Sequence, residues 1–254
     1  MIDILYLVKD LDLHAWDRML NSIRSLGRTS VPFNICVSDT SKIPLNKPNS
    51  EGVYENTSIL GYPLKYTHET NTGLFNRSRT INTGFKNLVQ SEPFIVMDID
   101  IVVPDQFLEN VLRKYEEKGQ TYMNGWIAYL EKGHVSTWKY NILQDYPIIR
   151  DYHSGYFICN KHLFEKLNGF DEDYDGWGGE DEDFTVRASV LTRGNVHRLR
   201  GDSLMGFHQW HPERYAAERD SAKKNKARYF EKKALYEAGT VEVDRIKGLE
   251  DRRP

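Results

Sequence analysis

Hydrophobic stretches of two different periods alternate through the first half of the chain. Ile4-Leu5-Tyr6-Leu7-Val8 is an unbroken apolar run, the pattern of a strand covered on both faces. Ala15, Met19, Leu20, Ile23 and Leu26 then recur at helical spacing, and Gly27 closes that helix. Phe33 to Val37 predicts a second strand, ending in Ser38-Asp39. A polar stretch with Pro44, Pro48 and Gly52 predicts a loop. Leu64 to Thr67 reads as a third strand, and Asn76 to Leu88 as a helix with Ile81, Phe85 and Leu88 on one face. Phe94 to Met97 is a fourth strand that runs into Asp98-Ile99-Asp100. A helix carrying Phe107, Leu108, Val111, Leu112 and Tyr115 follows. Strands alternating with helices imply a mainly parallel sheet, and such sheets bind ligands beyond the carboxyl ends of their strands. Asp39 and the Asp98/Asp100 pair fall at those ends.

The second half is less regular. Thr121 to Leu130 and Gly155 to Cys159 predict strands, the latter followed by a short helix through Phe164 and Leu167. A Gly/Asp-rich loop spans Gly169 to Gly179. A helix begins near Glu180 and carries Phe184, Ala188 and Leu191, and Val196 to Leu199 predicts a strand. Pro212 to Ala238 is charged and helical in pattern, with a thin apolar face of Tyr215, Tyr229 and Leu235. The predicted fold is α/β, a single mainly parallel sheet flanked by helices. The main domain spans 1–211, divisible at 104, and a charged helical extension spans 212–254.

Composition narrows the function. In 254 residues, 34 basic against 37 acidic side chains leave a net charge of −3, which excludes a generally basic nucleic-acid coat. A hydrophobic share of 39% is enough for one sizeable core. Cys36 and Cys159 do not make a disulfide framework and are expected as reduced thiols. No segment approaches the roughly 18 to 20 apolar residues of a membrane span. Ile2 to Val8 lacks a basic lead and a cleavage site, so it reads as a strand and not a leader. The expected location is cytoplasmic, either free or peripheral at a membrane face.

Four constellations carry candidate chemistry. Asp98 and Asp100, at i and i+2, point to one side of an extended segment and offer hard oxygens for Mg²⁺ or Mn²⁺. Taken alone, an acidic strand end facing solvent is the commoner explanation; the apolar strand before it favours a site. Asp175-Gly176-Trp177-Gly178-Gly179-Glu180-Asp181-Glu182-Asp183 joins a glycine-flanked Trp to four carboxylates at a helix start. Favourable charge against the helix dipole accounts for one or two of these acids but not four. Met205-Gly206-Phe207-His208-Gln209-Trp210-His211 holds two candidate metal ligands, His208 and His211, with nothing to choose between them. By chemistry alone the Met205 thioether is a core group, a poor partner for a hard cation. Arg77 and Arg79, opening a helix, are either an anion site or two solvated arginines. Tyr156, Trp126 and Trp138 read as core aromatics rather than acceptor-lining ones.

Together these segments resemble the β-1,4-galactosyltransferase family and, more broadly, the GT-A glycosyltransferases that share its C-terminal galactosyltransferase module. The likeness runs over roughly residues 70 to 210. Phe75-Asn76-Arg77 with Asn82-Thr83-Gly84-Phe85 is similar to the family's F-N-R…N-x-G-F block, and Met97-Asp98-Ile99-Asp100 to its D-x-D. Asn168-Gly169-Phe170-Asp171 with Gly176-Trp177-Gly178-Gly179-Glu180-Asp181 is similar to its N-G-F…G-W-G-G-E-D block, and Met205-x-x-His208 to its metal motif. Leu7-Val8-Lys9 stands where the family carries Pro-Phe-Arg, and the His-Gln-Trp-His-Pro run is closer to bacterial family-two transferases. The resemblance implies a metal-dependent inverting transfer of a hexose or N-acetylhexosamine from a UDP-sugar to a glycan hydroxyl. Residues 1–104 would be the nucleotide-binding half and 105–211 the acceptor and catalytic half. It implies Asp181 as general base and Glu180 as acceptor holder. Asp98, Asp100, His208 and Met205 would hold Mn²⁺, with Mg²⁺ as the alternative. Asp39, Phe75, Arg77, Asp98 and Trp177 would meet the donor. The alternatives are a retaining N-acetylgalactosamine-type transferase, a nucleotide-sugar or carbohydrate-binding protein without turnover, and a nucleotidyltransferase. Lys9-Asp10-Leu11-Asp12 lacks the Gly-rich phosphate loop that the last of these requires.

Overall fold

The computed structural model describes residues 1–47, 54, 56–130, 149–150, 155–212 and 215–249, with backbone alone at 149–150 and 215–219. The first half comprises β1 (Ile2–Val8), α1 (Leu13–Leu26), β2 (Phe33–Asp39), β3 (Ser58–Ile59), β4 (Tyr62–His68), α2 (Arg77–Leu88), β5 (Phe94–Met97) and β6 (Ile101–Val102). The second comprises α3 (Phe107–Glu117), β7 (Tyr122–Gly125), β8 (Ile127–Tyr129), β9 (Ile149–Arg150), β10 (Tyr156–Cys159), α4 (Lys161–Lys166), α5 (Glu180–Leu191), β11 (Val196–Leu199), β12 (Gly206–His208) and α6 (Tyr215–Glu237). Part of the predicted loop around Pro48 and Gly52, and Trp138, lie outside the described residues.

The main sheet has eight strands in the order β11-β7-β10-β5-β1-β2-β4-β3, with β5, β1, β2 and β4 parallel. The apolar run of β1 is buried on both faces. Ile4, Tyr6 and Val8 pack with Met19, Ile23 and Leu26 of α1 and with Phe107, Leu108 and Val111 of α3. Leu5 and Leu7 pack on the other side with Ile81 and Phe85 of α2, Phe164 of α4 and Phe184 of α5. Asp3, the polar break in that run, is buried at the opposite end of the sheet from Asp39. It accepts from Asn34 Nδ2 and Lys65 Nζ at 2.8 Å each, from Gln90 N at 2.7 Å and from Ser91 N at 2.9 Å. Cys36 and Cys159 are buried free thiols in the second apolar layer, as expected.

The structure departs from a single sheet. A four-stranded sheet in the order β6-β12-β8-β9 stands beside the first, and β10 runs antiparallel to both β5 and β7. The predicted strand over 121–130 is divided at Trp126 between the two sheets. Gly125 makes that crossing feasible: a Cβ there would lie 1.9 Å from the Tyr156 ring. Residues 215–249 pack onto the second half of the chain. α6 lies against α5, Tyr236 is buried, and the following segment covers the Asn168-Gly169 turn. There Leu249 N donates to Asn168 O at 3.0 Å and Glu172 N to Lys247 O at 2.8 Å. Among the described residues no helix is long and apolar enough to cross a membrane.

Candidate functional site

The candidate residues gather beyond the carboxyl ends of β2 and β5. Asp39, at the end of β2, is wholly buried, and its oxygens are engaged locally. Oδ1 accepts from Ser41 N at 2.8 Å, while Oδ2 accepts from Leu45 N at 2.9 Å and from the Tyr66 hydroxyl. It shapes the 41–45 loop.

A candidate cation site forms where the two sheets meet. After β5, a turn closed by Ile101 N on Asp98 O (3.2 Å) carries Asp98 and Asp100 into β6. β6 pairs antiparallel with β12, His208 opposite Ile101, and Gln209 N donates to Asp100 O at 2.8 Å. That register brings both candidate histidines to Asp100 Oδ2: His208 Nε2 at 3.4 Å and His211 Nε2 at 3.1 Å. One ligand atom from each of Asp100, His208 and His211 lies within 4.8 Å of the others. His211 Nδ1 sits 3.0 Å from Pro212 O. A proton donated there would leave Nε2 available to a cation, the usual outer support of a metal-binding imidazole. Asp100 Oδ1 is buried without a hydrogen-bond partner, an open acceptor where a cation fits. Burial pushes the Asp100 carboxyl up, but His208 and His211 outweigh it and hold the group below the ordinary Asp value. The hydrogen bond to Asp100 in turn raises His211, against its own burial. Met205 is buried in an apolar cluster with Val102, Ala128, Leu130 and Phe207, and Trp126 packs against it. The third side chain grouped with Asp100 and His208 is His211. Tyr156 is a core residue whose hydroxyl donates to Leu204 O.

Arg77 joins this region to the acidic helix start. Asn76 caps α2 by accepting from Arg79 N at 2.8 Å and bridges to Gly176, which brings the first turn of α2 to the first turn of α5. Arg77 Nη1 then lies 2.5 Å from Asp181 Oδ1 and 3.9 Å from Glu180 Oε1, and Nη2 lies 3.2 Å from Asp98 Oδ1. Burial opposes the guanidinium's charge, but Asp181, Asp98 and Glu180 hold it firmly protonated. Burial raises the Asp98 carboxyl; Arg77 opposes the rise, and Asp100 and Asp181 add to it. Glu180 is pushed up to about 8, chiefly by burial and then by Asp181. Its Oε2 is buried with no hydrogen-bond partner. Phe75 packs half-buried against the layer beneath α2. Arg79 pairs with Glu69, outside this group.

Trp177 is 49% exposed on the loop before α5. α6 holds that loop from behind. Trp177 N donates to Ser221 Oγ at 3.3 Å, and Asn225 Nδ2 donates to Asp175 O at 3.0 Å and Trp177 O at 3.2 Å. Gly176 has φ +78°, and a Cβ there would lie 2.5 Å from Ser221 Oγ, so both conformation and space require glycine. No motif marks Ser221 or Asn225; only the docking of α6 does.

The parallel half-sheet, the carboxylates at its strand ends and the second small sheet define a GT-A fold. A family model described as "N-terminal domain of galactosyltransferase" matches residues 136–210, which takes in the Gly176 to Asp181 block and Met205 to His208. Beta-1,4-galactosyltransferase 4 of Homo sapiens is 30% identical over 138 residues, covering 52% of this chain and 34% of that protein. This chain thus spans about a third (34%) of the length of the curated relatives it matches. The structure of S. aureus TarS shares the fold with a TM-score of 0.55 at 14% identity, covering 87% of this chain and 38% of that one. TarS 1-349 in complex with UDP gives a TM-score of 0.55 at 15% identity, covering 84% of this chain and 61% of that one.

Proposed function

We propose that this chain is a metal-dependent inverting glycosyltransferase that moves a hexose or N-acetylhexosamine from a UDP-sugar to a glycan hydroxyl. The observation that carries this reading is Arg77, one buried guanidinium held between Asp98 at a strand end and Asp181 at a helix start, next to the Asp100, His208 and His211 cluster. The likeness to β-1,4-galactosyltransferases and the UDP complex of a protein of the same fold support the donor class.

Asp100, His208 and His211 fit Mn²⁺ or Mg²⁺, with Asp98 beside them; Met205 is the further ligand that the resemblance adds. A cation held there supplies charge neutralisation to a departing diphosphate. Asp181 accepts the proton of the acceptor hydroxyl, whose oxygen bonds to the anomeric carbon as the carbon–phosphate oxygen bond breaks and UDP leaves. Attack opposite the leaving group inverts that carbon. Arg77 pairs with Asp181, and its guanidinium is also suited to a donor's anionic oxygens. Glu180, with an unpartnered buried oxygen, holds an acceptor hydroxyl. Trp177 presents an exposed ring on the loop before α5, suited to cover a sugar face.

The test is UDP release from a panel of UDP-sugars with acceptor glycans, with Mn²⁺ and with chelator. The expected outcome is release with one or a few donors that chelator abolishes, and a product of inverted anomeric configuration. Release indifferent to chelator overturns the metal site, and a retained configuration overturns Asp181 as the base of a direct displacement.

A further inference from the structure

Arg18 lies on α1, which Gln209 ties to the turn of the cation cluster. Its main-chain oxygen accepts from Gln209 Nε2 at 2.9 Å, and Gln209 N donates to Asp100 O at 2.8 Å. One glutamine therefore ties the helix to the turn that carries Asp100. The Arg18 side chain is otherwise unmatched. Its Nε is buried without a hydrogen-bond partner, and its guanidinium forms no ion pair among the described residues. Its charge reaches the cluster, where it acts on both Asp100 and His211. A guanidinium taken partly out of water without an acceptor is costly, and a cation beside it adds like-charge repulsion. An anion that touches both positive centres relieves both costs. A diphosphate has that chemistry, with one oxygen for the planar donors of Arg and another for the cation.

We propose that Arg18 is a diphosphate-binding residue that couples the cation at Asp100, His208 and His211 to the nucleotide's phosphates. This rests on the transferase reading above and adds a residue that no motif marks. Arg18 disfavours the bare cation and favours the cation arriving with its anion, so nucleotide and metal bind each other's site cooperatively.

Mn²⁺ binding to the full chain, followed by electron paramagnetic resonance, tests this. Titrations are run with no anion, UDP, inorganic pyrophosphate or inorganic phosphate, on the wild type, Arg18→Gln and Arg18→Met. Arg18→Met keeps the apolar stem and serves if Arg18→Gln does not fold. In the wild type, UDP and pyrophosphate are expected to tighten Mn²⁺ binding. Loss of Arg18 is expected to reduce that coupling about tenfold, the scale of one charge-assisted hydrogen bond, while Mn²⁺ alone binds as well or better. Unchanged coupling in the variants overturns the proposal, as does weaker binding of Mn²⁺ alone, which marks a purely structural role. Equal coupling by inorganic phosphate overturns the diphosphate assignment. A wild type that binds no Mn²⁺ under any condition overturns the transferase reading as well. Tight, UDP-dependent Mn²⁺ binding indifferent to residue 18 overturns this inference alone.

Discussion

Asp181 and Glu180 are neighbours in sequence with different surroundings. Asp181 is paired to Arg77 at 2.5 Å, whereas Glu180 is 3.9 Å from the same nitrogen and keeps one buried oxygen without a partner. Asp181→Asn is expected to lower turnover about 10² to 10⁴-fold with donor binding retained, measured as kcat alongside UDP-sugar affinity; near-normal turnover removes Asp181 from the role. Glu180 has a signature in stability. Between its ordinary value of 4.5 and about 8, the folded protein keeps a proton that the unfolded chain releases, so stability falls as pH rises through that window. Glu180→Gln is therefore expected to flatten the pH dependence of the denaturant midpoint and to gain most over the wild type near the upper end. A wild-type slope in the variant contradicts a raised Glu180. As candidates these residues stand out in the sequence, because four carboxylates crowded beside a glycine-flanked Trp exceed what a helix dipole accounts for. Their partners do not. Nothing local announces that Arg77 reaches both Asp98 and Asp181, or that His211 joins His208 on Asp100; both follow from long-range register.

The elements were read most faithfully where burial imposes a strong period. β1, β5 and α2 emerge as expected because each places apolar side chains on a fully covered face, whereas α5 buries Phe184 and Ala188 but leaves the predicted Leu191 exposed. The direction of β10 and the division at Trp126 were hidden, since a strand's own pattern does not encode its partner. Asp3 shows how a polar residue survives in such a run: four donors converge on it at the buried end of β1. Asp3→Ala is expected to destabilise by about 2 to 4 kcal/mol, because it strands those donors and breaks its pair with Lys65, read from chemical unfolding. A change within about 0.5 kcal/mol, the range of ordinary surface substitutions, contradicts that. α6 matters differently. Asn225, 1% exposed, holds the main chain on both sides of Gly176, so Asn225→Ala is expected to lower turnover by up to about 10²-fold through misplacement of the Trp177 loop. Unaltered turnover would show that α6 contributes stability alone.

At the scale of the molecule, the site is assembled from both halves of the chain and from both sheets. The main sheet delivers Asp98 and Asp100 at its centre, and the small sheet lays β12 against β6 so that residues 208 and 211 arrive beside them. α2 and α5 meet at their first turns and bring Arg77 to Asp181. The α/β class and the placing of Asp39, Asp98 and Asp100 at strand ends were legible from alternation alone. The second sheet, and the packing of residues 215–249 behind the Trp177 loop, were not, because each depends on contacts between segments far apart in sequence. One proposed cation position is shared by these parts. Anomalous diffraction from crystals soaked with Mn²⁺ and UDP measures it directly. A single strong peak beside Asp100, His208 and His211 and touching the diphosphate is expected; a bound nucleotide with no peak at that position contradicts a shared cation.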